Sequence, residues 1–164
     1  MRVPLIFRWP GKVSQRSVTR LTEHIDVPAT LTELLEIDPL PGAHGQSLFG
    51  DSTRTSIFSE YLENEEAFIR TERWKYIFCS GKRKRLDGYE IDNPTPGRYQ
   101  RLYDLKADPG KFTDVSSRNP EIVAQMQALM LERFRATHPD AEREPGMGGK
   151  EAALEFYVRP RDVG

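Results

Sequence analysis

Three histidines, a single cysteine and several runs of like charge are the residues here whose types suit chemistry, and their spacing limits what they can do. His24, His44 and His138 are too dispersed to imply a metal site. His44 sits in a Pro/Gly-rich stretch where it is a candidate to face a substrate cleft, a surface histidine being the plainer reading. Cys79 stands alone, which excludes an internal disulfide framework and any cysteine zinc cluster. Lys82, Arg83, Lys84 and Arg85 form a compact basic run able to attract an anionic polymer, against the plainer reading of a solvated hairpin tip. Glu60, Glu63, Glu65 and Glu66 read as a solvated acidic rim, with Glu60 the candidate pocket-lining member. Asp26, two residues before Pro28, suits a helix start better than a metal ligand. Gly146 to Lys150 lacks both the spacing and the strand–helix frame of a phosphate loop, and reads as a flexible connection.

The bulk numbers set the frame for these residues. With 164 residues there is enough chain for one cored domain or two small lobes. Charged residues are 30% and hydrophobic ones 37%, with a mean hydropathy of −0.63 and a formal net charge of −1. Near-neutrality argues against nucleic acid and against an anionic membrane as partners. No uncharged apolar stretch is long enough to span a bilayer. The opening residues carry Arg2, Pro4 and Arg8, which is no secretion signal, so the chain as it stands reads as cytoplasmic.

The elements that must position these groups fall into two textures. Residues 3–10 are a short apolar run bounded by prolines, which reads as a buried strand of a parallel sheet and, having no earlier partner, as the sign of missing upstream sequence. Leu31, Leu34 and Leu35 give helical spacing behind Asp26, and Asp38, Pro39, Pro41 and Gly42 end that helix. Residues 41–55 read as a surface linker. Beyond it, residues 56–62, 67–71, 74–78 and 101–105 are strand candidates rich in aromatics and isoleucine, the middle two forming a hairpin across Glu72 and Arg73. Asn119 and Pro120 start a helix with Val123, Met126, Met130 and Phe134 as its stripe and Ile122 and Leu129 beside it. Residues 154–158 are expected as a last strand or packed arm. The fold class is therefore α/β, with an α+β second lobe: the end of a parallel-sheet domain over residues 1–50, an antiparallel sheet with one helix over 51–140, and a flexible tail or arm over 141–164.

Three stretches together resemble the C-terminal portion of the sulfatase family, in the alkaline-phosphatase-like superfamily. The first is the run at residues 3–12. The second is Asp26 to Leu31 followed by Gly45-Gln46-Ser47-Leu48, similar to the family's D-x-x-P-T-L … G-x-S-L segment, with Pro28 and Ala29 exchanged relative to the common pattern. The third is Arg70-Thr71 to Lys75-Tyr76, then Leu102-Tyr103-Asp104-Leu105 and Asp108-Pro109, resembling the R-T-x-r-y-K-Y and L-Y-D-L-x-x-D-P signatures. Two departures stand out: Glu36 takes a helix-ending place that is usually Gly, and Lys111 a place that is usually Glu.

The resemblance implies a sulfuric-ester hydrolase using a formylglycine made from C/S-x-P-x-R and a divalent cation, usually calcium, to meet charge developing on the sulfuryl oxygens. Those motifs are expected upstream, so the chain alone is expected to be inactive. A sulfate ester is then a substrate only where that upstream domain is present, and the C-terminal tail is a route to a homo-oligomer. Cys79-Ser80-Gly81-Lys82-Arg83 mimics the modified motif, but Gly81 stands where proline belongs, and a structural thiol is the ordinary reading. Two alternatives stay open: a stand-alone module binding a polyanion or partner chain, and a segment of a related phosphodiesterase or phosphonate monoester hydrolase.

Overall fold

Alternation of apolar and polar residues in the aromatic half produces a four-stranded antiparallel meander. The computed structural model describes residues 4–51, 53–61, 65–81 and 98–159. Within them β1 (Ile57–Tyr61), β2 (Glu66–Arg70), β3 (Trp74–Cys79) and β4 (Tyr99–Asp104) pair in chain order. The hairpin between β2 and β3 turns at Glu72 and Arg73, in the register Arg70↔Lys75 and Phe68↔Ile77. Side chains alternate across the sheet, so Ala67, Ile69, Tyr76, Phe78 and Leu102 share one buried face.

That face is covered by α2 (Pro120–Thr137), whose Val123, Met126, Met130 and Phe134 are buried against it. Each such side chain contributes about 1.5–3 kcal/mol of burial. Pro120 opens the helix as expected, but Asn119 does not cap it through its side chain: its Nδ2 donates backward to the Val115 carbonyl at 2.9 Å. Gln127, also buried, donates to Tyr76 Oη at 3.2 Å and to Gln100 Oε1 at 3.1 Å, satisfying the polar atoms under the helix.

The last described stretch takes the packed-arm alternative, as a helix rather than a strand. Residues 149–157 form a helix, α3 (Gly149–Tyr157), rather than a strand or a loose tail. Ala153, Leu154 and Tyr157 recur at helical spacing and are fully buried with Val158, and Tyr157 stacks on Phe134 with ring centroids 4.8 Å apart. The glycines before it supply the entry turn: Gly148 has φ 105°, and a Cβ there would lie 2.6 Å from that of Ala152. A five-residue stretch with four apolar members cannot distinguish strand from helix by itself; the aromatic contacts under α2 decide.

The amino-terminal region is organised differently. Residues 4–10 form no strand, and Leu5 and Ile6 are 50% and 85% exposed. No described strand runs beside them, and a strand exists only through its ladder partner. The helix is present as α1 (Asp26–Leu34), but its burial is the reverse of the expected stripe. Asp26, Thr30 and Thr32 are buried, whereas Ile25, Leu31 and Leu35 are 40%, 44% and 56% exposed. The helix closes with Glu36 N–H donating to Glu33 O and Ile37 N–H to Thr32 O, the two bonds of a Schellman cap, with Glu36 held at φ 56°. The left-handed cap survives the loss of glycine, with a glutamate bearing the strain.

Candidate functional site: a buried charge junction and a cationic pocket

Two clusters gather charged side chains, and they do opposite things with them. The first is centred on Asp26. Its Oδ2 accepts the Glu23 N–H at 2.7 Å, its Oδ1 accepts the Gln46 N–H at 2.9 Å, and Arg54 Nη2 pairs with the same oxygen. Arg54 Nη1 also pairs with Glu23, which accepts the Phe58 N–H at 2.5 Å and Arg133 Nη2 of α2 at 3.2 Å. Side-chain exposure is 5% for Arg54, 8% for Glu23 and 2% for Asp26, so the ions are out of water and each needs its partners. Thr30 extends the junction, donating to Asp26 O at 2.6 Å and accepting the Leu48 N–H at 2.9 Å. Gly45 permits the approach, since a Cβ there would lie 1.9 Å from Ile25 O. The D-x-x-P … G-x-S-L motif is thus one hydrogen-bonded clasp that ties residues 20–58 to the sheet lobe.

The second cluster lies on the face of the sheet away from α2. Ile57, Phe68, Arg70, Lys75, Leu105, Pro109 and Lys111 line an open pocket of about 330 Å³. Arg70 and Lys75 face each other directly across β2 and β3. The Lys75 ammonium sits 4.2 Å from the centroid of the Phe68 ring. Burial first, then the positive charges of Lys111 and Arg70, lower the Lys75 pKa, while Glu66 acts the other way. Glu66 itself accepts from Tyr99 Oη at 2.5 Å.

The sequence-derived candidates fare unevenly. His44 is exposed on the loop after α1, and Glu60 is exposed on the edge strand β1 opposite Ala67. Neither lines the cationic pocket. Lys82, Arg83, Lys84 and Arg85 lie outside the described residues. Cys79 is the buried last residue of β3, paired with Tyr99, and burial pushes its thiol pKa up, away from a reactive thiolate. Asp26 proves to be neither a simple cap nor a metal ligand but the hub of the junction. Sequence reasoning missed Glu23, Arg54 and Arg133, which come together only in three dimensions. It also missed the Arg70–Lys75 pair, although a hairpin turning at residues 72 and 73 already places 70 opposite 75.

These clasps lie on the segments that resemble the sulfatase family, and the comparisons with known proteins agree with that resemblance. No family model matches the sequence. An N-acetylgalactosamine-6-O-sulfatase of Bacteroides thetaiotaomicron is 33% identical over 140 residues, covering 79% of this chain and 26% of that protein. A solved Bacteroides thetaiotaomicron structure from work on glycosaminoglycan metabolism superposes with a TM-score of 0.60 at 18% identity, over 84% of this chain and 32% of its own. The phosphonate monoester hydrolase of Agrobacterium radiobacter does so at 0.53 and 23% identity, over 82% and 29%. The chain belongs to the sulfatase family, and it spans about a quarter of the length of the curated relatives it matches.

Sulfatases generally use formylglycine and calcium, and the described residues do not fit either group. The cysteine is buried at a strand end with glycine at the motif's proline place, and Asp26 is already saturated by N–H donors and a guanidinium. Among the described residues no group of three or more His, Cys, Asp or Glu is placed to hold a metal ion. Among the described residues no helix is long and apolar enough to cross a membrane.

Proposed function

We propose that this chain is the C-terminal segment of a sulfatase-like sulfuric-ester hydrolase, serving as scaffold while the formylglycine and the metal ligands belong to other parts of the enzyme. The observation that carries the reading is the reversed burial of α1. A helix that buries Asp26, Thr30 and Thr32 leaves Ile25, Leu31 and Leu35 exposed, and Leu5, Ile6 and Ile37 elsewhere in the amino-terminal region are exposed as well. Exposed apolar side chains in this number suit an interface better than a finished exterior. The remaining three-quarters of a sulfatase-length chain is the occupant that fits it. In that enzyme the clasp at Asp26 would hold the helix at the boundary between the two parts.

Reading the encoding DNA upstream of Met1 tests this. A frame carrying C/S-x-P-x-R together with Asp-rich metal motifs supports the reading, and its absence would leave a stand-alone module. The solved phosphonate monoester hydrolase with the same fold favours a second reading, in which the ester is a phosphonate. Turnover of a nitrophenyl sulfate against a phenylphosphonate ester by the full-length enzyme separates the two.

A further inference from the structure

We infer that Glu23 is a latch that shuts the amino-terminal segment onto the sheet lobe as one opening unit, with Arg133 of α2 as its keeper on the lobe. Among the described residues, the apolar core and the hydrophobic side chains packed against it begin at Phe58, so no residue of α1 belongs to it. The residues that α1 buries are Asp26, Thr30 and Thr32, and their partners are polar. Bonds from three places converge on one carboxylate. Glu23 Oε1 accepts the Phe58 N–H of β1 at 2.5 Å, and its Oε2 pairs with Arg54 and with Arg133 Nη2 at 3.2 Å. With its side chain only 8% exposed, Glu23 is costly to leave without those partners.

The rest of the clasp hangs on that point. The Glu23 N–H donates to Asp26 Oδ2, Asp26 Oδ1 accepts the Gln46 N–H, and Thr30 Oγ1 accepts the Leu48 N–H. With nine residues, α1 is too short a helix to persist by itself in water. Once Glu23 leaves Phe58 and Arg133, α1 melts, and the Gln46 and Leu48 amides lose their acceptors in the same opening. Among the described residues, Glu23 is the one carboxylate with which Arg133 pairs. The exposed Ile25, Leu31 and Leu35 belong to the same stretch of chain. A partner covering them would therefore favour the shut latch, and an open latch would weaken that partner's hold by the same factor. The latch rests on contacts within this chain and not on the proposed hydrolase reading, so either can fail without the other.

The test is amide hydrogen exchange, read residue by residue by NMR, on the 164-residue chain and its Arg133→Ala and Glu23→Gln variants. In R133A the amides of α1, Gln46 and Leu48 should all exchange faster by one common factor of about tenfold, the loss of one charge-assisted hydrogen bond. Those of α2 from Met126 to Leu131 should exchange as in wild type. In the E23Q background R133A should add no further acceleration, since the charged partner is already gone. A loosening of α2 itself would instead persist there. Should E23Q fail to fold, R133A alone still decides, through whether α1, Gln46 and Leu48 move together while α2 does not. Wild-type exchange in R133A, unequal factors for α1 and for Gln46 and Leu48, or an undiminished R133A effect in E23Q would overturn the latch.

Discussion

The sheet lobe and the amino-terminal segment solve the problem of burial in opposite ways. In the lobe, Phe134 of α2 meets Phe58 edge-on at 4.9 Å and stacks on Tyr157 of α3, and the polar atoms beneath, Tyr76 Oη and Gln127, find each other. Its core hydrophobic residues enclose one another beneath α2 and α3. In the segment, Asp26, Thr30 and Thr32 are inside while Leu31, Leu35 and Leu40 are exposed. Polar contacts hold that segment on the lobe through Glu23, Asp26, Arg54 and Arg133, but nothing in the described chain covers its apolar face. The contrast separates a lobe that buries an apolar core from a segment that leaves several apolar side chains exposed.

The sharpest break of this contrast is a pair of truncations. Phe134→Ala should cost about 4 kcal/mol in urea denaturation, being a fully buried aromatic with two ring partners. Leu35→Ser, on the outward face of α1, should stay within about 0.5 kcal/mol and should reduce binding of an apolar dye. A large cost at Leu35 would mean that the face is already covered. Next in size is Arg54→Ala, which strands Glu23 and Asp26 without their shared cation and should cost about 3 kcal/mol, again by denaturation. Glu36→Gly should stabilise the chain by up to about 1 kcal/mol, by removing a side chain from the left-handed cap.

A further effect is electrostatic and lies in the lobe. Arg135 first, with Tyr157 Oη also donating, holds the Glu144 carboxyl below its ordinary value, while burial and this neighbour push the Tyr157 phenol up to about 12. A depressed carboxyl stabilises the fold above its unfolded pKa and loses that contribution as pH falls through the folded value. Glu144→Gln should therefore flatten the acid limb of the stability–pH curve, by no more than about 1 kcal/mol for so solvated a pair.

How much was legible in the sequence follows the same division. All four strands, the hairpin turn and the stripe of α2 could be read, because their alternation and spacing express burial by neighbours within the chain. The helix at residues 149–157 could not, since Leu154, Phe156 and Tyr157 acquire helical meaning only against Phe134. At α1 the leucine stripe announced a helix correctly but not which side would face inward, because Asp26 and Arg54 are 28 residues apart and no periodicity links them. Of the candidate site, Arg70 and Lys75 were within reach of register arithmetic, whereas Lys111 joins them only through the turn after β4. The family motifs carried the identity, yet in the structure Asp26, Gly45 and Asp104 serve geometry: Asp104 accepts from the Lys106 and Ala107 N–H groups and pairs with Arg73.

The proposed reading, in which the exposed apolar side chains of α1 belong to an interface, is tested most directly by amide hydrogen exchange on the isolated 164-residue protein. The account predicts that amides in the last turns of α1 exchange through a low-energy local opening, far faster than those of α2 around Met126 to Phe134, which should exchange only by global unfolding. Equal protection of the two helices would contradict it, and would mean that the amino-terminal segment is already whole.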